Sequence, residues 1–222
     1  GSVYHRAWEL FGGSVRFFGE NIAAAGARMR QDLAGELERG EAVDLSTFFE
    51  PGRLEGKKTM GLEIAEQLGR AALPDWIFYP TGGGTGLVGI WKAFQELAAM
   101  GLLDPAAHPL PRMVAVQSEN CAPVVRAFER GLSEVEPVES QGTIADGLDV
   151  PRAIMGHRVL AVLRESGGSA CAVGEAAIRQ GYHDLGRMGV SAGMESGALL
   201  AALRAMRSRG VVRDGSRVLL LV

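Results

Sequence analysis

The 222-residue sequence predicts an α/β fold, with a mainly parallel twisted sheet, helices on both faces, and a separate strand–helix unit ahead of it. Three observations carry this. From Thr59 onward short apolar runs alternate with longer amphipathic ones. The strand-like runs, such as "RVLLLV" at the end, are apolar throughout rather than every second residue, as in strands covered on both sides. Between one such run and the next helix, five of the ten residues from Pro80 to Gly89 are glycine.

Taken in order, Ser14–Phe18, "SVRFF", is rich in β-prone side chains and predicts a strand. Asn21 then opens an Ala-rich helix that Gly40 closes. "DLSTFFEPGRLEGKKT", with Pro51, Gly52 and Gly56, predicts a connection and a domain crossing, giving domains 1–40 and 41–222. Helix Gly61–Leu68, strand Trp76–Tyr79, helix Thr85–Met100, strand Met113–Gln117 and helix Ala122–Arg130 follow. "RVLAVL", Arg158–Leu163, predicts a further strand, then come helices Glu175–Met188 and Glu195–Ser208 and the final strand. Ser166-Gly167-Gly168-Ser169 would then follow a strand and either line a pocket at the sheet's carboxyl edge or form a plain turn.

Composition excludes several functions. An apolar fraction of 47% suits a packed core, while a net charge of −3 and a pI near 5.9 provide no basic footprint for nucleic acid. No apolar run reaches the roughly 20 residues of a membrane span. Cys121 and Cys171 lie far apart with no CxxC, reading as small buried hydrophobes of a reducing cytoplasm. His5, His108, His157 and His183 are scattered and predict no metal site, and Trp76, Trp91 and Phe94 sit in periodic apolar runs that read as core.

Three readings of the glycine loop compete. A Walker loop requires GxxxxGK[ST], and no Lys-Ser or Lys-Thr pair follows at that spacing. The dinucleotide fingerprint GxGxxG is met by Gly84, Gly86 and Gly89, with Glu119 as a ribose partner, but that acid comes about 35 residues on instead of about 20. In the third reading the amides of Gly82, Gly83, Gly84, Thr85 and Gly86 converge on one phosphate at the N-terminus of the following helix. A flexible turn is the bland alternative.

"GRLEGKKTMGLEIAEQLG" (Gly52–Gly69), "PDWIFYPTGGGTGLVGIWKAFQEL" (Pro74–Leu97) and "PRMVAVQSENCAPVVRAFERG" (Pro111–Gly131) together resemble threonine synthase, a pyridoxal-phosphate enzyme of fold type II. "GTIADGLDVP" and "RESGGSACAV" are similar in order and spacing, so the resemblance covers nearly the whole chain. It implies conversion of O-phosphohomoserine and water to threonine and phosphate. Gly82, Gly83, Gly84, Thr85 and Gly86 would hold the 5′-phosphate of the cofactor pyridoxal 5′-phosphate, and Arg53 the substrate phosphate, where a planar guanidinium suits the anion. An ion pair of Arg53 with Glu50 or Glu55 is the structural alternative.

The family also needs a lysine that carries the cofactor covalently. The lysines here are Lys57, Lys58 and Lys92, none in the family's Ser-Phe-Lys-Asp-Arg-like context, and Lys92 reads as a solvated helix residue. No catalytic residue is therefore assigned within the chain. "GMESGAL", Gly193–Leu199, departs from the family's Pro-Glu-Gly-Ala-Ala-like helix start at Met194 and Ser196. The resemblance thus predicts either a fragment or a naturally shortened relative without the lysine chemistry, with residues 1–40 the remnant of a smaller domain and residues 41–222 the large cofactor-phosphate domain. Its expected partner is a small amino-acid phosphate, with no nucleic acid or membrane, and self-association is compatible with apolar surface left uncovered. A nicotinamide-binding Rossmann protein and a catalytically silent domain used for assembly remain the alternatives.

Overall fold

The computed structural model describes residues 3–19, 22–46, 50–69 and 72–222. They form two compact units, 1–44 and 45–222. The first holds α1 (Val3–Leu10), α2 (Ile22–Asp32) and α3 (Ala34–Glu38). The single helix expected up to Gly40 is thus two, bending at Leu33, while Gly40 does take the positive φ of a helix stop. The predicted strand Ser14–Phe18 is irregular chain with Phe17 exposed. β-prone residues form a strand only when another strand completes their hydrogen bonds, and none pairs with them among the described residues.

The second unit is built on four parallel strands, β1 (Trp76–Pro80), β2 (Arg112–Ser118), β3 (Ser169–Val173) and β4 (Val218–Leu220), in the order β3-β2-β1-β4. Trp76 pairs with Arg112 and with Val218, and Val114 pairs with Ser169. Side chains alternate across this sheet. Ile77, Met113 and Ala115 pack with α4 (Pro51–Leu68), α5 (Thr85–Ala99), α6 (Pro123–Glu129) and α7 (Gly156–Glu165). Trp76, Phe78, Val114 and Val116 face the other core, with Ile178 of α8 (Glu175–Arg187) and Ala198, Leu199 and Ala202 of α9 (Met194–Ser208). The α/β fold with helices on both faces is therefore as the sequence predicts.

Two segments differ. Arg158–Leu163 is the core of helix α7, not a strand. Its buried residues Val159, Leu160, Val162 and Leu163 fit one side of a helix, and a short apolar run does not by itself distinguish the two periods. The strand is the next run, "SACAV", so Ser166–Gly168 precedes it, Ser169 opens it, and the segment lies at the amino edge of the sheet. There Ser166 Oγ accepts from the Met113 amide at 3.2 Å, and a β-carbon on Gly168 would fall 1.9 Å from the Met113 carbonyl oxygen. Helix α4 also begins earlier than expected. Pro51 occupies its first turn, where no amide is needed, and the Glu50 carboxylate accepts from the amides of Gly52 (2.7 Å) and Arg53 (2.8 Å).

Strand order positions the site. The chain moves outward from β1 to β2 to β3, then returns through α8 and α9 to place β4 on the other side of β1. The order reverses at β1, and the carboxyl end of such a strand opens a crevice between helices of opposite faces. The glycine loop leaves β1 at that end.

Candidate functional site

The loop is fixed at its base by Thr81, fully buried at the end of β1. Its amide donates to the Val116 carbonyl at 2.8 Å and its hydroxyl to the Tyr79 carbonyl at 2.9 Å. The Thr81 carbonyl accepts from Nε2 of Gln117 at 3.0 Å, while Oε1 of Gln117 accepts from the amides of Val124 (2.9 Å) and Val125 (3.1 Å) at the start of α6. Gln117 is fully buried and has both ends of its amide used, so it sets the height of the loop relative to α6. Sequence reasoning missed it; a glutamine inside an otherwise apolar strand was the available signal.

From Gly82 the chain turns into α5. Gly84 caps that helix with φ +82°, a conformation costly for any residue with a β-carbon. The first helical bond runs from the Val88 amide to the Gly84 carbonyl at 3.1 Å. Among the described residues, the amides of Gly82 through Leu87 donate to no protein acceptor, although Gly82, Gly84, Thr85, Gly86 and Leu87 are all buried. Buried unpaired donors are rare and costly, and here they gather at the positive end of a 15-residue helix. That arrangement fits a tetrahedral oxyanion.

The missing side chains serve packing as well. A β-carbon on Gly82 would lie 2.5 Å from the Gly147 carbonyl oxygen, one on Gly84 2.3 Å from Val159 Cγ2, and one on Gly86 2.0 Å from Tyr79 Oη. Protein therefore closes against three of the loop's glycines. Tyr79 is half-buried, which pushes its phenol pKa up and keeps it a neutral donor.

Neighbouring loops at the same edge are held by two carboxylates. Glu195, in the first turn of α9, accepts from the Gly147 amide at 2.9 Å, so Gly147 links α9 to the glycine loop. Glu175, in the first turn of α8, accepts from Ser118 Oγ (2.7 Å) and the Ile144 amide (2.8 Å). Burial pushes the Glu175 carboxyl up, but hydrogen bonds from Ile144, Ser118 and Thr143 together hold it below its ordinary value. Glu119, the dinucleotide reading's ribose acid, lies on the β3 side, its amide donating to the Val173 carbonyl at 3.0 Å.

Arg53 is exposed in the first turn of α4, where Nη1 donates to the Leu45 carbonyl at 3.0 Å. Helices α4 and α5 cross closely at two glycines, Gly89 meeting the backbone of Lys57 and Gly61 meeting Ile90 and Ala93. These contacts set the helices parallel, so one turn earlier on each, Arg53 falls level with Thr85. The register brings Arg53 to the same end of the helix pair as the glycine loop.

Lys58 and Lys92 sit in ion pairs. Lys58 lies 2.7 Å from Glu55 and 2.8 Å from Glu96, and Lys92 pairs with both acids. Hydrogen bonds to Glu55 raise both lysine pKa values, opposite to the shift a nucleophilic amine requires. Among the described residues no group of three or more His, Cys, Asp or Glu could hold a metal ion, and no helix is long and apolar enough to cross a membrane.

Comparisons with known proteins give one family. Residues 5–222 match the family described as "Pyridoxal-phosphate dependent enzyme". The threonine synthase of Methanosarcina acetivorans is 34% identical over 173 residues, spanning 78% of this chain and 42% of that protein. That of Mycobacterium tuberculosis is 31% identical over 193 residues, spanning 84% and 50%. The chain thus spans about half the length, or less, of these curated relatives. Among solved structures, the processed form of threonine deaminase isoform 2 from Solanum lycopersicum superposes with a TM-score of 0.74 at 18% identity, over 98% of this chain and 57% of that one. Threonine synthase from Escherichia coli gives 0.59 at 21% identity, over 78% and 38%.

Proposed function

The chain belongs to the pyridoxal-phosphate-dependent enzyme family, and from that premise we propose that Gly82, Gly83, Gly84, Thr85 and Gly86 hold the cofactor's 5′-phosphate in a threonine-synthase-type reaction. The substrate would be O-phosphohomoserine, converted with water to threonine and phosphate. The observation that carries the reading is the run of amides from Gly82 to Leu87, all but Gly83 in buried residues, without a protein acceptor at the start of α5. The cofactor, when bound, supplies an electron sink for carbanion chemistry.

The chain's own residues supply position and charge. Gln117 and Thr81 fix the loop to β2 and α6, and Tyr79, Val159 and Gly147 close against it. The dipole of α5 favours a dianion there. Arg53, level with Thr85, would bind the substrate phosphate, the guanidinium matching two oxygens at once. With Lys58 and Lys92 held in ion pairs, Lys57 exposed on α4, and none of the three in the family's Ser-Phe-Lys-Asp-Arg-like context, this reading takes the lysine that carries the cofactor from outside these residues. In this reading residues 41–222 are the large cofactor-phosphate domain, and residues 1–40 belong with a smaller one. The curated relatives favour the threonine-synthase reaction over the deamination named for the Solanum lycopersicum structure, and the family match leaves the nicotinamide reading without support.

The test is a titration of ¹⁵N-labelled chain with pyridoxal 5′-phosphate. The amides of Gly82 to Leu87 shift together, and no new visible absorption band forms, with or without Lys92→Arg. Unmoved loop amides would overturn the phosphate assignment. A visible band lost in Lys92→Arg would overturn the placement of the lysine. For the reaction, the full-length enzyme releases phosphate from O-phosphohomoserine; ammonia release from serine or threonine without phosphate release from O-phosphohomoserine would sink the substrate assignment.

A further inference from the structure

At the opposite edge of the sheet, where β1, β2 and β4 begin, a cavity of about 430 Å³ opens among residues the proposed reaction does not use. Its volume falls within the range of small-ligand sites. Five-residue β1 separates it from the glycine loop by roughly 15 Å, so the two cannot share one small ligand.

Charge is its main feature. Arg112, Arg213 and Arg217 line the cavity with His108, against one carboxylate, Asp75. Asp75 is engaged in tying the strand starts together: Oδ2 accepts from the Arg217 amide at 2.7 Å, its own amide donates to the Arg217 carbonyl at 2.8 Å, and its carbonyl accepts from the Arg112 amide at 2.9 Å. Among the described residues, none of the three guanidiniums has an acid partner or a side-chain hydrogen bond, whereas Arg204 and Arg207 of nearby α9 pair with Asp184 and Asp214. The Arg112 guanidinium lies 5.1 Å from the centroid of the Trp76 ring, within cation–π range of another cavity-lining residue.

The end of α9 might be expected to repel an anion, because Gly210 and Val211 line the cavity just beyond it. Its last carbonyls are already occupied: those of Ala205, Met206 and Arg207 accept from the amides of residues 209–212. Three permanently charged arginines lining one concave surface leave it with a surplus of positive charge that an anion would offset. Leu73, Pro109 and Val211 give the same cavity an apolar wall.

We propose that this cavity is a second anion site, taking a small organic phosphate whose phosphoryl group bridges Arg112, Arg213 and Arg217 while its planar or apolar body lies on the Leu73–Pro109–Val211 wall. A phosphate dianion matches the surplus of positive charge better than a single carboxylate does.

The experiment is a ¹⁵N-correlation titration of the chain with phenyl phosphate and, separately, inorganic phosphate. Phenyl phosphate shifts the Trp76 indole N–H and the amides of Arg112, Ser216 and Arg217 along one saturable curve, and inorganic phosphate does so more weakly. The Arg112→Gln/Arg217→Gln variant, which removes exposed side chains, weakens that curve by at least about tenfold and leaves the response of Gly82–Leu87 unchanged. Unmoved cavity signals, or signals that move equally in the double variant, overturn the proposal. Equal affinity for the two probes overturns the organic body. A response confined to Gly82–Leu87 sinks the cavity alone, and one confined to the cavity sinks the glycine-loop assignment alone.

Discussion

Replacing Gly84 with alanine tests whether the loop's geometry is what binds phosphate. The new methyl would sit 2.3 Å from Val159 Cγ2, and Val159 is fully buried on α7 with no freedom to swing away. The residue would also keep φ near +82°, where a β-carbon costs about 1–2 kcal/mol. Overpacking at a rigid site adds about 1–3 kcal/mol. The expected loss is therefore about 2–5 kcal/mol, a large share of a stability of about 5–15 kcal/mol. Urea unfolding followed by circular dichroism reads it directly. Val159→Ala in the Gly84→Ala background removes the overlap but not the backbone strain, so the pair couples by at least about 1 kcal/mol. Phosphate at about 100 times its dissociation constant adds about 2.7 kcal/mol to the parent chain and clearly less to Gly84→Ala, whose amides are displaced. A loss below about 0.5 kcal/mol, with strictly additive variants, would refute the argument that Val159 and the positive φ hold the loop in shape.

The ion pairs between α4 and α5 predict a specific pH response. Hydrogen bonds from Lys58 and Lys92 lower the Glu55 pKa from 4.5 to about 2, so its contribution is complete above 4.5 and is lost as pH falls toward 2. The raised pKa values of Lys58 and Lys92 act the other way, their contribution being present below 10.5 and lost above their folded values. In a ¹³C titration the Glu55 carboxyl has a midpoint well below 4.5, and Lys92→Met moves it up; an unmoved midpoint would count against the ladder. The thiols should be inert. Burial, with the charge of Asp149 second, pushes Cys121 up to about 11, and burial raises Cys171. At pH 8 about one Cys121 in a thousand is then thiolate, so iodoacetamide labels neither cysteine until urea unfolds the chain. Rapid labelling of the native protein would show that the thiols are not enclosed.

Much of the fold was legible because local pattern and tertiary environment agree. "WIFYP", "RMVAVQS" and the helix from Thr85 have the period and length their positions require. Where the two differ, long-range pairing decided. "RVLAVL" and "SACAV" are both short apolar runs, and only the second lies where β2 leaves an open edge. "SVRFF" has β-prone residues but no strand to complete its hydrogen bonds among the described residues. Gln117 and the Gly147–Glu195 link were invisible for a similar reason, since their partners lie 36 and 48 residues away.

The sequence by itself determined that the chain folds as a helix-covered parallel sheet, and that Gly82–Gly86 sits between a strand and a helix with its amides uncovered by side chains. Only the tertiary structure decided what those glycines face, because β-carbons were excluded by Gly147, Val159 and Tyr79, residues spread from 79 to 159 that meet once both cores have closed on the sheet. The same closure drew Arg112, Arg213 and Arg217 to one cavity at the far edge. Spacing along a chain specifies local conformation, whereas the convergence of distant charges depends on which strands pair and in what register.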